Sequence, residues 1–222
     1  MSNFNIFKWI GQLVDRVRDM IAGVDPDRFK TKYQTVVIPE FGVVNRNGRI
    51  YTREIAERMC GQFREPVAGE GGHPSAAVVN ISAVSHRMHS VFIDEDMLWV
   101  EYSVVDNPQG RLLYDLFQKQ GQETFVLSPR GVGSVPNDGN IAEDHEVLAY
   151  DFIPIMESSF RPYSRAEVIA RGKEVFDNEQ KLYDWLEKEH ELFGGQTPQD
   201  LINEGLTGKV MTALSWMKQE VV

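Results

Sequence analysis

The strongest constraint on the fold lies between about residues 34 and 160, where short runs rich in valine, isoleucine, phenylalanine and tyrosine follow one another. "QTVVIPEFGVV", "VVNISAVSHRMHSVFID", "MLWVEYSVV", "TFVLSPRGVGSV" and "EVLAYDFIPI" carry the β-branched and aromatic side chains that suit a pleated, half-buried surface. Two helical stretches interrupt them. "TREIAERMCGQF" opens with Thr52 as its cap, and "NPQGRLLYDLFQKQG" closes on Gly121. The pattern predicts an α+β core in which strands dominate and helices lie outside.

The flanks read differently. Phe4, Ile6, Phe7, Ile10, Leu13, Val14, Val17, Met20 and Ile21 fall at helical spacing, with Lys8, Asp15, Arg16, Arg18 and Asp19 opposite. This predicts an amphipathic helix over 1–24 that docks on the domain or on a partner, since its polar face is not basic enough for a membrane surface. A domain is expected over 33–192, β-rich to about 160 and helical from 164 to 191. "FGGQTPQD" reads as a linker, and 209–219 as a final short amphipathic helix, so 193–222 is expected to be linker and tail.

Charge narrows the function classes. The chain has 23 basic and 33 acidic residues, a net charge of −10, which argues against sequence-independent nucleic-acid binding. Cys60 is the only cysteine of the 222 residues, so no disulfide can form within the chain, and it reads as a small buried hydrophobe. No run approaches the roughly 20 apolar residues that span a bilayer, and the start has no signal-peptide pattern. No membrane association is expected.

Three local patterns carry chemistry. In "NRNGRIY", Asn47-Gly48 supplies a tight turn flanked by Arg46 and Arg49. In "GEGGHP", glycines around Glu70 let the backbone turn sharply just before His73. In "LSPRGVG", an apolar strand runs into Ser128 and then a proline–arginine–glycine turn. Alone, each has an ordinary structural reading as a turn or an exposed loop. No histidine, cysteine or carboxylate cluster has metal-ligand spacing, so neither a metal nor another cofactor is expected. The G-x-S-x-G elbow of the common esterases is absent from the sequence.

Taken in order, "NRNGRIY", Gly-Glu-x-x-His-Pro, "VSHRM", "LSPRGVG" and "YDFIP" resemble the prohead core proteases of T4-like phages, over roughly residues 35 to 165. The resemblance implies a serine endopeptidase that trims scaffold and capsid proteins. It also implies the strand-dominated, barrel-like core of the herpesvirus assembly protease type. On this reading Ser128 is the nucleophile and His73 the general base, with Asp151 in "LAYDFIP" orienting the imidazole. A serine hydroxyl needs such a base at neutral pH, and the base needs a partner to hold its tautomer. His86 is the rival for that third place. Strand alternation puts His86 and Ser85 on opposite faces, so His86 reads as support beside the site or as core. His145 and His190 are expected in acidic, solvent-like surroundings.

Oxyanion donors are expected among the Arg130 side chain and the N–H groups of Gly131 and Gly133, because Pro129 has no N–H to offer. The resemblance further implies cleavage after glutamate, at Leu/Ile-x-Glu before Gly or Ala. Arg46, Arg49 and Arg130 are the candidates to bind that carboxylate. Glu204-Gly205, preceded by Ile202, matches the motif within the chain itself and marks an expected self-cleavage point that releases 205–222. The implied setting is the inside of a phage prohead in the bacterial host cytoplasm. The expected partners are scaffold or core protein and major capsid protein, and homo-oligomerisation is left open. The competing reading is a non-catalytic scaffold or core component on the same fold.

Overall fold

The computed structural model describes residues 29–220 other than 65–66, 135 and 137–138. The helix expected over 1–24 lies outside the described residues. Strands β1 (Tyr33–Ile38), β2 (Val67–Glu70), β3 (Val84–Asp94) and β4 (Met97–Val104) form an antiparallel sheet in the order β1-β4-β3-β2. Strands β5 (Phe125–Val132) and β6 (Glu146–Pro154) form a separate two-stranded ribbon. Sheet and ribbon join where β2 runs out: Gly71 bridges Phe152 in parallel, and the Gly72 N–H donates to the Phe152 carbonyl at 2.8 Å.

Helices α1 (Arg53–Gln62) and α2 (Pro108–Gln120) cover this core with Ile55, Ala56, Met59, Leu113 and Phe117. Thr52 caps α1 by accepting from the Ile55 N–H, as its position before the apolar run predicts. Mixed helix and sheet are present as expected, but the barrel-like expectation resolves into an open sheet plus a ribbon. Among the described residues no ladder pairs β1 with β5, and the other joint rests on a glycine turn.

Residues beyond 163 build a second core. Helices α3 (Arg165–Val175), α4 (Glu179–Leu186), α5 (Pro198–Asn203) and α6 (Thr207–Glu220) bring together Val168, Leu182, Leu186, Leu201, Ile202, Val210 and Leu214. The boundary expected at 192/193 therefore cuts through one packed cluster. The stretch read as linker and tail is folded, because its apolar residues find partners on α3 and α4. Arg46 ties this lobe to the turn before α1. Its guanidinium grips both oxygens of Glu167, at 2.7 and 3.0 Å, and lies over the Tyr163 ring. Glu167 is held well below the usual carboxylate range by that arginine and by the Ser164 cap.

Candidate active site

The site begins with two irregularities in strands. Gly69 pairs with His86 and the next residue, Glu70, pairs with Val84, so Ser85 is an extra residue in β3. This bulge breaks the alternation expected from sequence. Ser85 and His86 do not point apart: the Ser85 hydroxyl lies 2.9 Å from His86 Nδ1. The other ring nitrogen, Nε2, lies 2.7 Å from the Tyr150 carbonyl. A carbonyl only accepts, so Nε2 carries the proton and Nδ1 accepts from Ser85. Burial pushes the imidazole down to about 4, so it is neutral at pH 7. Both nitrogens of His86 are occupied beneath the site.

Gly69 makes that approach possible. A Cβ built there falls 2.1 Å from the Tyr150 carbonyl oxygen and 2.2 Å from His86 Nε2. Any side chain at this position collides with backbone, so β2 can lie flush on the imidazole only through glycine.

Ser128 and Asp151 are paired residues across the β5–β6 ladder. Directly opposed side chains share a face, with Cβ atoms about 4.5–5.5 Å apart. Ser128 is half-buried, whereas Asp151 is fully buried. The glycine turn after β2 carries His73 to the same place. Its Nδ1 lies 3.4 Å from Asp151 Oδ2, and its ring is 42% exposed. The structure thus brings Asp151 to both His73 and Ser128.

Asp151 is held from the other side by Arg130, which is itself buried. Arg130 Nη2 donates to Asp151 Oδ1 at 3.2 Å and to Glu70 Oε1 at 2.8 Å. Its Nε approaches Asp151 Oδ2 to 2.9 Å, an ion pair whose N–H direction misses the oxygen. The Glu70 N–H supplies a further bond to Oδ1. Oδ2 is consequently a buried acceptor with no hydrogen bond among the described residues, and it is the oxygen that faces His73.

The other expected site residues lie elsewhere or are engaged. Arg130 is committed to Glu70, Asp151 and the Ala76 carbonyl. Arg46 is committed to Glu167 and to the carbonyls of Arg161 and Pro162. Gly131 and Gly133 pack against His145, where a Cβ would meet its ring and backbone at 2.5 and 2.8 Å. Arg49 is exposed, and its charge bears on Tyr51 and His145. Glu204 and Gly205 sit at the end of α5. Glu204 caps the helix, Gly205 takes a φ of +83°, and the Leu206 N–H closes the turn onto the Leu201 carbonyl at 2.8 Å. Ile202 is buried in the second core, so the segment expected as linker and tail is folded around this bond.

Glu70 is the residue whose role sequence reasoning missed. Its signal was present, an acid closing an apolar strand inside the His73 motif, but its partner lies 60 positions away. A cleft of about 320 Å³ opens beside the same glycines, lined by Gly71, Gly72, Leu112, Leu116, Phe125 and Phe152. A second of about 250 Å³, at the seam between the two cores, includes none of the candidate catalytic residues. Among the described residues no group of three or more His, Cys, Asp or Glu side chains is arranged to hold a metal ion. No described helix is long and apolar enough to cross a membrane.

No family model matches the chain, and no curated protein matches it. Among solved structures, the bacteriophage T4 capsid assembly protease gp21 is similar, with a TM-score of 0.47 and 20% identity. That match covers 55% of this chain and 79% of the phage protein.

Proposed function

We propose that this chain is a serine endopeptidase in which Ser128 attacks the peptide carbonyl, His73 takes its proton and Asp151 orients His73. The observation that carries the reading is the unsatisfied, buried Oδ2 of Asp151 facing His73 Nδ1, with Ser128 opposite on the neighbouring strand. A donor on Nδ1 fills that acceptor and leaves Nε2 unprotonated for the serine. Catalytic hydrogen bonds commonly stand long in the free enzyme and tighten around substrate.

The charges suit this division of labour. Glu70 and Asp151 contribute two buried carboxylates against one guanidinium, Arg130. The surplus negative charge favours the imidazolium that forms when His73 takes the proton. His73 then returns it to the departing amine, and water attacks the acyl-serine by the same route in reverse.

The motifs shared with prohead proteases supply the finer reading: cleavage of phage scaffold and capsid proteins after glutamate, inside the prohead. Of the three candidate arginines, Arg46 and Arg130 grip internal carboxylates, and Arg49 is the one we assign to the substrate glutamate. The apolar cleft beside Gly71 and Gly72 suits the leucine or isoleucine upstream. Glu204-Gly205 is a substrate bond that must first leave its helix cap.

The experiment compares wild type with Ser128→Ala on a peptide spanning residues 198 to 210. Cleavage after Glu204 by wild type alone is the expected result. Cleavage that survives in Ser128→Ala removes the nucleophile assigned here, and equal inertness of both favours the scaffold reading.

A further inference from the structure

The reading above uses only the net charge of the buried Glu70–Arg130 pair and not the contacts it makes. Burying these charges is costly, and such a pair is at best a modest source of stability. What it holds is informative. Glu70 Oε1 accepts from the Asn80 N–H at 2.9 Å, and Arg130 Nη1 donates to the Ala76 carbonyl at 2.9 Å. Ala76 and Asn80 both belong to the loop that leaves β2 and carries His73. That loop has no helix or strand between Glu70 and Ile81, and Val78 in it is 79% exposed. It has little apolar packing of its own to fix its path.

We propose that Glu70 and Arg130 form a polar clip that sets the position of His73 against Asp151. The clip grips the loop at Ala76 and Asn80, three and seven residues past His73. It is anchored in β5, and the same guanidinium braces the carboxylate that His73 faces. One arginine thus fixes both members of the His73–Asp151 contact, and Glu70 locks that arginine in place. Neither residue touches the reacting atoms; both are positioning residues. The inference rests on the serine peptidase reading for its consequence in catalysis, though not for its consequence in loop order.

The test uses Glu70→Ala and Glu70→Gln in the full chain. Glu70→Ala leaves Arg130 paired one to one with Asp151, so no buried charge is stranded. Glu70→Gln keeps an acceptor for Asn80 and for Arg130. Hydrogen exchange over residues 71–80 needs no activity and reports the clip directly. Faster exchange there in Glu70→Ala, with exchange elsewhere unchanged and largely restored in Glu70→Gln, is the expected result. In steady-state kinetics Glu70→Ala should lose about a hundredfold in kcat with KM within about twofold, as a shift of about 1 Å in a catalytic group does. Glu70→Gln should recover to within about tenfold of wild type.

Unchanged exchange over 71–80 in Glu70→Ala overturns the clip, and so does exchange that rises equally throughout the chain. A wild type that neither cleaves peptide nor labels Ser128 with a fluorophosphonate overturns the peptidase reading instead. The exchange data then still decide whether the clip orders the loop.

Discussion

His73 Nδ1 faces Asp151 Oδ2 across 3.4 Å, and that oxygen accepts no hydrogen bond from any described residue. An acceptor left open at zero exposure is costly unless something fills it during the working cycle. On the proposed reading, this contact favours Asp151 over His86 as the partner of His73. His86 already spends both nitrogens on Ser85 and the Tyr150 carbonyl.

Asp151→Asn tests that assignment. The amide keeps the side chain's shape but removes the charge that holds the imidazole tautomer. The kcat on the 198–210 peptide should fall about a thousandfold or more. Ser128 should still be present and the thermal transition retained. A rate within tenfold of wild type argues that the carboxylate is not the orienting group.

Replacing Arg49 by Gln should weaken cleavage after glutamate by about tenfold or more in kcat/KM, the usual worth of a hydrogen-bonded charge contact. A matched peptide with glutamine in place of the glutamate should be cut at nearly the same rate by both enzymes. Equal losses on the two peptides would place the cation for glutamate elsewhere.

Gly69→Ala drives a methyl group into the Tyr150 carbonyl and the His86 ring. Both are fixed within the core, so the strand must shift. The expected cost is about 1–3 kcal/mol of stability, read from denaturant unfolding. A neutral result shows that β2 can slide away from His86.

His86 also gives stability a pH dependence. Its folded-state value is depressed to about 4 by burial, against 6.5 when solvated. Between those values the unfolded chain binds the extra proton, so stability is fully present above pH 6.5 and falls as pH drops towards 4. The loss reaches about 3 kcal/mol across that window. Denaturant midpoints measured from pH 7 to 4 should show this slope in wild type and a shallower one in His86→Gln.

Glu204-Gly205, the bond proposed for self-cleavage, lies in the cap that ends α5. Leu214 is fully buried, and Leu214→Ala should cost about 2–5 kcal/mol and loosen α6. Mass spectrometry of the active enzyme should then show faster release of 205–222 than in wild type, while the free 198–210 peptide is cut equally by both. Slower release in the variant argues that folded α5 and α6 are what the enzyme recognises.

Strands β1 and β3 to β6, helices α1 and α2 and the Thr52 cap were legible in the amino-acid string, the four-residue β2 was not, and Ser128, His73 and Asp151 stood there as candidates. Each depends on local periodicity or on motifs a few residues long. Tertiary structure alone decided what those residues are held by. Glu70 and Arg130 meet because β2 and β5 both border β6 near Asp151, a consequence of strand order that no spacing records. The bulge at Ser85 is one residue inserted against its partner strand, so the alternation rule fails there without any local sign. The helix read over 209–219 is present as α6, whereas α5 falls partly in the stretch read as linker because six residues show too little apolar surface to stand alone. Packing against Val168, Leu182 and Leu186 supplies the rest. Local propensity sets which segments can form; the burial of distant side chains against one another sets where they go and which charges they must share.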